Sequence, residues 1–406
     1  MRRSLSPFPL VIALGILACP PASARQVVGR PGAAVPGSTA PGATVAGAPP
    51  RDTAAQDAVA QGVTVPGRTW DRVSSPGEAG WSAEQLEAAW RIADDIGSGA
   101  IVVVHHGRIV AEWGETTEKY DVFSARKQLL SGLLGIAAAD GALALDATLG
   151  DLGIDDKGGL TDAEKSATVR DLLTSRSGVY HDAAYEARAH RRARPRRGSH
   201  PPGTFFHYNN WDFNALGTIF ERVSGESVFE AFERRIAQPL EMEDFRREED
   251  TRYERTGGSE HAAYLFEMTA RDLARYGLLW LMRGNWGERR IIPGEWVDES
   301  TRPYVHPALN DLQSFGYLWW IYPATPGLFG ASGKGNQKVV IWPERDLVVV
   351  HLASTKWLGI FGSQVGDRDF WRLFYAIAAA DTSRDATEDP SFAQGPLRPA
   401  AGSHEE

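Results

Sequence analysis

Residues 123–135 read Phe-Ser-Ala-Arg-Lys-Gln-Leu-Leu-Ser-Gly-Leu-Leu-Gly and carry the strongest structural signal in the chain. Leucine pairs recur in this stretch at a spacing of four, which is the period of a buried helix. Ser124 and Lys127 are three positions apart, so their side chains leave the same helical face about one turn from each other. The stretch therefore predicts a buried helix with a serine and a lysine side by side at its start.

This pair has a possible chemical use. A serine hydroxyl is a poor nucleophile until a base removes its proton, and a lysine can do so if burial and nearby charge lower its pKa from ~10.4. At the start of a helix the backbone N–H of Ser124 is unpaired and can bind an oxyanion. An idle charge in an apolar helix would be costly. The alternative is that Ser124 serves only as a helix N-cap.

The composition limits the classes of function. The chain has 406 residues, 43% of them hydrophobic and 23% charged, with a net charge of −9. This length allows a large core. The mild acidity argues against nucleic acid as a main partner. A single cysteine, Cys19, excludes an internal disulfide framework and a cysteine-based metal site. We expect neither a metal nor a cofactor.

The first residues have the pattern of an export signal. Arginines follow Met1, an apolar run covers residues 10–18, and Ala22-Ser23-Ala24 supplies a small-x-small cleavage site. The apolar run is too short for a permanent membrane span. Lipoprotein processing at Cys19 is the alternative, and Pro20 directly after the cysteine disfavours it. We expect a protein that is exported to the periplasm or secreted.

Composition divides the chain into four segments. The signal peptide covers 1–24, and a disordered Pro/Gly/Ala-rich linker follows over 25–68. A single folded domain is expected over 69–382, and a polar, disordered tail over 383–406. A disordered linker is compatible with association with the cell envelope, although composition alone does not establish it.

Periodicity and turn residues predict the elements of the domain. We expect helices over 82–96, 169–178, 211–223, 227–236, 269–283, 293–300 and 367–380, and strands over 100–105, 108–113, 316–322, 338–342 and 347–352. The middle of the chain is thus predicted to be helical.

Two further stretches contain candidate functional residues. In residues 201–210, Tyr208 and Asn210 are two apart and in extended geometry could point into one cleft. Core packing for the tyrosine and capping for the asparagine are the alternative. Residues 188–197 are rich in arginine, which fits either a solvated loop or a segment that binds an anionic substrate.

Four motifs in a fixed order give the chain a family resemblance. The motifs are Ser124-Ala125-Arg126-Lys127, residues 171–178, residues 202–210 and Ala331-Ser332-Gly333. With them the chain resembles the serine β-lactamase-related hydrolases: class C β-lactamases, penicillin-binding DD-peptidases, EstB-type esterases and 6-aminohexanoate-dimer hydrolases. The resemblance implies an α/β (α+β) fold of the β-lactamase/transpeptidase type. In that fold an antiparallel sheet from N- and C-terminal segments is flanked by helices, next to a mainly helical region.

The resemblance also implies roles for individual residues. Ser124 would be the acylated nucleophile and Lys127 its proton acceptor. Tyr208 would share the acid–base work, and Asn210 would contact the substrate carbonyl or Lys127.

The last motif departs from the family pattern. Ala331 replaces a cation that in the relatives helps to hold a substrate carboxylate. Ser332 and Gly333 would still form an edge strand beside the substrate, and the Lys334 N–H would complete an oxyanion hole with that of Ser124. Lys334 or Lys338 could replace the missing cation only if the strand register were shifted.

These observations lead to one preferred function and two alternatives. We expect an exported serine hydrolase that acts on small esters, amides or peptides through an acyl-enzyme, with an esterase-like preference. The first alternative is a β-lactamase or DD-peptidase, and the second is a non-catalytic member that binds the cell wall or a partner. The sequence does not determine the oligomeric state.

Overall fold

The computed structural model describes residues 63–305, 313–354 and 365–383. The strands of the main sheet are β1 Ala100–His105, β2 Arg108–Gly114, β8 Ser314–Phe315, β9 Trp320–Ile321, β10 Phe329–Gly333, β11 Gln337–Trp342 and β12 Leu347–Leu352. The other strands are β3 Tyr120–Asp121, β4 Thr251–Thr256, β5 Ser259–Met268, β6 Asn285–Trp286 and β7 Arg289–Arg290.

Helices of very different length connect these strands. The α-helices are α1 Ala83–Asp95, α2 Arg126–Ala139, α3 Asp162–Lys165, α4 Val169–Leu173, α5 Arg188–Ala193, α6 Asn210–Ser224, α7 Val228–Phe232, α8 Arg247–Asp250, α9 Ala270–Leu281, α10 Gly294–Ser300 and α11 Asp367–Ala379. Short 3₁₀ turns cover Gly77–Ala79, Phe123–Ala125 and Pro343–Arg345, and a π-helical turn covers Glu233–Ala237.

The main sheet joins the two ends of the domain. Its seven strands run in the order β2-β1-β12-β11-β10-β9-β8, and each neighbouring pair is antiparallel. The hairpin β1–β2 pairs with β12, so that Val102 lies opposite Val350. The predicted fold class is confirmed, because N- and C-terminal segments share one antiparallel sheet with flanking helices.

Helices cover both faces of this sheet. Val102 and Val350 belong to the core that contains α2, α6 and α9, whereas Val103 and Val349 belong to the core of α1 and α11. Successive strand residues point to opposite faces, so every residue of β1 is buried on one side or the other. The helix α2 that follows Ser124 therefore lies between the sheet and the helical region.

The prediction of a helical middle region missed a second sheet. The strands β3, β5 and β4 form a three-stranded sheet, in which Thr251 lies opposite Phe266. Residues 252–255 of β4 are exposed and mostly charged, so β4 shows no alternating apolar pattern. It forms because its backbone pairs with the largely buried β5, and a pattern based on side chains cannot detect that.

The predicted strand over 316–322 is wrong for most of its length. Gly316–Trp319 forms a turn with Leu318 at φ +69°, and only Trp320–Ile321 pairs as β9. This turn is fixed to α2, because Ser131 Oγ donates to Tyr317 O at 3.1 Å and Gln128 Nε2 donates to Leu318 O. The helix predicted over 169–178 ends at Leu173.

The described chain packs against the domain from its first residue. Val63 is buried in the core with α2 and α9, and Arg275 Nη2 donates to Arg68 O at 3.0 Å. The predicted signal peptide, residues 25–62 of the predicted linker and residues 384–406 of the predicted tail lie outside the described residues. No helix in the described ranges has the length and apolar character needed to cross a membrane.

Candidate active site

Ser124 lies in a short 3₁₀ turn, Phe123–Ala125, directly before α2. Phe123 has φ +47°, a left-handed conformation that costs a bulky residue about 1–3 kcal/mol. The Phe123 amide donates to Asp121 Oδ1 at 2.7 Å, and the Phe123 ring stacks on Tyr185. Ser124 is not the N-cap of α2, since Ala125 occupies that position. The N-cap alternative for Ser124 is therefore wrong.

The predicted contact between Ser124 and Lys127 is present. Lys127 Nζ lies 2.8 Å from Ser124 Oγ. Lys127 is fully buried, and its Nζ lies 4.9 Å from the ring centres of both Tyr208 and Phe213. Burial, and secondarily the charge of Arg126, hold the Lys127 pKa well below its usual value. The lysine is thus suited to accept a proton from the serine.

Tyr208 is positioned by the loop that follows α4. Ser175, at φ +55°, donates from Oγ to His207 O at 2.6 Å and accepts from the Asn209 amide at 3.0 Å. Asn209 also donates from Nδ2 to Val179 O at 2.7 Å and caps α6 by accepting from the Trp211 amide. The motif at 171–178 therefore fixes the backbone on both sides of Tyr208.

The Tyr208 phenol is a proton donor in this environment. Burial raises its pKa above the usual value, and its hydrogen bonding to Ser124 opposes only part of that rise. The Tyr208 ring stacks on Trp320 with centroids 5.6 Å apart. A neutral phenol next to the serine can deliver a proton to a leaving group or pass one on.

Asn210 is the first residue of α6 and is buried. It shares a helical face with Phe213, which contacts Lys127, and with Asn214, which accepts from Arg126 Nη2 at 3.0 Å. This face of α6 lies against the start of α2. The structure thus brings Asn210 to the side of α6 that faces Ser124 and Lys127.

The strand β10 lies against the serine turn at Gly333. A Cβ on Gly333 would lie 2.3 Å from Val122 O and 3.3 Å from the Ala125 amide nitrogen, so only glycine allows this approach. Lys334 follows directly, in an exposed turn before β11. Within the described chain, neither the Ser124 amide nor the Lys334 amide donates to a protein acceptor. Two free donors next to the serine meet a basic requirement of an oxyanion hole.

The register of β10 places an apolar side chain, Ala331, at the position where the relatives have a cation. Ala331 is buried and lies opposite Val339, while the half-buried Ser332 lies opposite Lys338. Lys338 Nζ binds Asp367 at 2.8 Å beneath α11, on the sheet face away from α2. The register is not shifted, so Lys338 does not replace the cation. Ser332 shares the face of Lys338. Because β9 pairs with β10 only at Phe329 and Gly330, the backbone of Ser332 lies at an edge of the sheet, as predicted.

Comparison with known proteins gives the family. The model of the family described as Beta-lactamase matches residues 83–357, about two thirds of the chain. The chain belongs to the β-lactamase family. All four predicted motifs lie within the matched residues.

Solved structures that share little sequence identity with this β-lactamase-family chain have a similar fold. An octameric penicillin-binding protein homologue from Pyrococcus abyssi is 20% identical, with a TM-score of 0.56 over 76% of this chain and 79% of that one. A Bacillus anthracis protein, named provisionally as a 6-aminohexanoate-dimer hydrolase, is 22% identical, with a TM-score of 0.54 over 71% and 80% of the two chains. A penicillin-binding protein from Bacillus halodurans is also 22% identical, with a TM-score of 0.52 over 72% and 98%.

The arginine-rich stretch of this β-lactamase-family chain is partly neutralised. Arg194 binds Asp182 at 2.7 Å and also contacts Glu186, while Arg197 binds Glu164 at 2.7 Å. The Arg194 pairs join the segments before and after α5, and the Arg197 pair connects the chain after α5 to Glu164 on α3. They leave fewer free cations than the sequence suggests.

His190 is a candidate that the sequence analysis treated only as part of that stretch. It lies on α5, half-buried, with its ring 5.3 Å from the Tyr208 ring. Burial lowers the His190 pKa below its usual value, so the imidazole is neutral at neutral pH. No motif singles it out, because its proximity depends on how α5 folds over the site.

The described residues contain no cluster of histidine, cysteine or acidic side chains that could hold a metal ion.

Proposed function

We propose that the protein is a serine hydrolase that cleaves small, uncharged esters or amides through an acyl-enzyme on Ser124. The observation that carries the proposal is the 2.8 Å contact between Ser124 Oγ and the fully buried Lys127. A buried lysine with a lowered pKa is the base that this nucleophile needs. The family supplies the class of reaction, and the ester preference is our own inference.

The proposed reaction has two steps, acylation of Ser124 and hydrolysis of the acyl-enzyme. Ser124 Oγ attacks the substrate carbonyl carbon while its proton passes to Lys127 Nζ. The carbonyl oxygen becomes an oxyanion between the Ser124 and Lys334 amides. Collapse breaks the bond to the leaving group, which takes the proton from Lys127 directly or through the Tyr208 phenol. Water then attacks the acyl-enzyme with the same proton transfers, which releases the acid and restores Ser124.

The preference for uncharged substrates rests on the groups around the serine. Ala331 offers no charge, and Lys338 is held by Asp367 on the opposite face of the sheet. Two partly exposed aromatic pairs lie at the site: Phe123 stacks on Tyr185, and Tyr208 stacks on Trp320. Aromatic faces favour apolar groups of the substrate. A substrate carboxylate would lose a hydrogen bond to a cation, worth roughly 1.5–3 kcal/mol.

The substrate preference gives the first prediction. We expect kcat/KM for p-nitrophenyl acetate or butyrate to exceed that for penicillins and cephalosporins. The loss of one charged hydrogen bond corresponds to roughly 10- to 100-fold. Ala331→Lys should move the ratio toward the β-lactams, whereas Ala331→Met, of similar size without charge, should not.

A preference for a β-lactam or a D-Ala-D-Ala peptide would contradict this part of the proposal. If that preference disappeared when Arg188, Arg191 and Arg192 of α5 were neutralised, the exposed arginines would be the missing cation. The β-lactamase or DD-peptidase alternative would then replace the esterase.

The second prediction concerns Gly333. Gly333→Ala places a methyl group against Val122 O and should push β10 away from the serine turn. A displacement on the order of 1 Å at a reacting centre can cost roughly 100-fold in rate. We expect kcat/KM to fall by about that factor, with a thermal melt that still shows a cooperative fold.

The control for Gly333 is Gly257→Ala in the turn between β4 and β5, where a Cβ would meet nothing within 4 Å. It should leave the rate unchanged. Equal activity of the two variants would show that the Lys334 amide has no part in catalysis.

We also propose, from the pattern of residues 1–24 alone, that the enzyme acts after export.

A further inference from the structure

A second buried cation lies next to the proposed base. Arg126 is 0% exposed and immediately precedes Lys127 in α2. Its guanidinium lies 5.0 Å from the ring of Tyr264 on β5 and 5.6 Å from that of Tyr185. Its Nη2 donates to Asn214 Oδ1 on α6. Aromatic rings and one amide thus surround the charge.

The part of the chain that the structure describes places no acid against this pair of cations. Within the described residues, neither Arg126 nor Lys127 forms an ion pair with a carboxylate. Arg126 Nε and Nη1 are buried and have no hydrogen-bond partner among those residues. An uncompensated buried charge of this kind is expensive, so a purely structural role would favour an apolar side chain at this position.

The two cations differ in how they can respond. A guanidinium does not lose its proton in proteins, whereas an ammonium readily does when it is buried beside another positive charge. The charge of Arg126 is therefore permanent, and the repulsion between the two cations is relieved only when Lys127 loses its proton. The other groups that face Lys127 add no positive charge at neutral pH: the Tyr208 phenol and the His190 imidazole are both neutral. The Tyr185 phenol beside Arg126 donates to Asp121 at 2.9 Å.

We propose that Arg126 is a positioning residue of the reaction, whose permanent charge keeps Lys127 in its neutral, proton-accepting form. This inference rests on the proposed function, because it assigns Arg126 a role in activating Ser124 through Lys127. Arg126 itself does not contact the reacting atoms. It lies in the core between α2, α6 and β5, and it acts on Ser124 only through Lys127.

The test is the pH dependence of Ser124 acylation. The acylation rate with p-nitrophenyl butyrate is measured between about pH 5 and pH 10 for the wild type, Arg126→Met and Arg126→Gln. Glutamine can keep a hydrogen bond to Asn214, so it provides a folded variant if methionine does not. Lys338→Met is the matched control, since it removes a buried cation on the far side of the sheet.

Removal of the Arg126 charge should raise the Lys127 pKa and move the acid limb of the profile to higher pH. Once the limb lies above neutral pH, the rate at pH 7 falls about tenfold for each further pH unit of displacement, and the alkaline plateau stays close to that of the wild type. The limb of Lys338→Met should coincide with that of the wild type. A purely structural defect would lower the rate at every pH and leave the limb in place.

Two results would overturn the inference. The first is an acid limb that does not move in the Arg126 variants although Ser124 is acylated. The second is a wild-type limb near the ordinary lysine pKa of ~10.4. If the wild type forms no adduct on Ser124 at any pH, the proposed function itself fails and the inference is rejected with it.

Discussion

Ser124→Ala is expected to abolish ester hydrolysis while the protein remains folded. The hydroxyl is the only proposed nucleophile, and in the structure it contacts Lys127 instead of capping α2. Its removal should cost only the worth of one hydrogen bond, about 1 kcal/mol of unfolding free energy. The loss of turnover should be complete to within the background rate of the ester in buffer.

The measurement pairs a steady-state assay with a thermal melt. Ser131→Ala is a suitable control, because Ser131 lies on α2, the helix that follows Ser124, and donates to the backbone carbonyl of Tyr317. It should keep its activity. A folded Ser124→Ala protein with near-wild-type activity would exclude the mechanism.

Lys127→Ala is expected to have the second-largest effect. Without a base at 2.8 Å from the Ser124 hydroxyl, acylation should slow by roughly 10²–10⁴-fold. Lys127→Met keeps most of the side-chain volume and should be equally slow, which separates the loss of the base from the loss of packing. The rate of the first turnover measures this step without a contribution from deacylation.

Lys338→Ala is the comparison for Lys127. It also removes a buried lysine, but one that binds Asp367 beneath α11. We expect little change in the acylation rate. Equal and mild effects of the two substitutions would mean that Lys127 is only a structural charge.

The serine–lysine pair was predictable because it depends on local geometry. A spacing of three brings two side chains to the same side of a helical turn, and the 3₁₀ turn at Ser124 runs directly into α2, so that the contact with Lys127 is kept. The hairpins β1–β2 and β11–β12 were predictable for a similar reason, since apolar runs flank clear turn residues. The sequence alone showed that Ala331 stands where the relatives have a cation. The observed pairing of Ala331 with Val339 is consistent with an uncharged side chain at that position.

Other features depend on contacts that no local pattern encodes. The charged strand β4 forms only because its backbone pairs with that of β5. His190 approaches Tyr208 because α5 is held by Arg194 and its acidic partners. The sequence suggested a cleft role for Asn210, but it did not suggest that Asn209 would fix the backbone on the other side of Tyr208.

The burial of Arg126 is the clearest example of this limit. From the sequence it is one of two basic residues in a motif, and a charged residue is normally expected at the surface. Only the packing of α2 against α6 and β5 shows that both cations are inside. The electrostatics of the site are therefore a property of the tertiary structure.

The central claim is that Ser124 becomes covalently acylated. Wild-type protein is incubated with p-nitrophenyl butyrate and quenched in acid, and the intact mass and the modified peptide are then measured. The account predicts a mass increase of one acyl group, located on Ser124 and missing from Ser124→Ala. Ester hydrolysis that continues with no adduct on Ser124, or an adduct of the same size in Ser124→Ala, would contradict it.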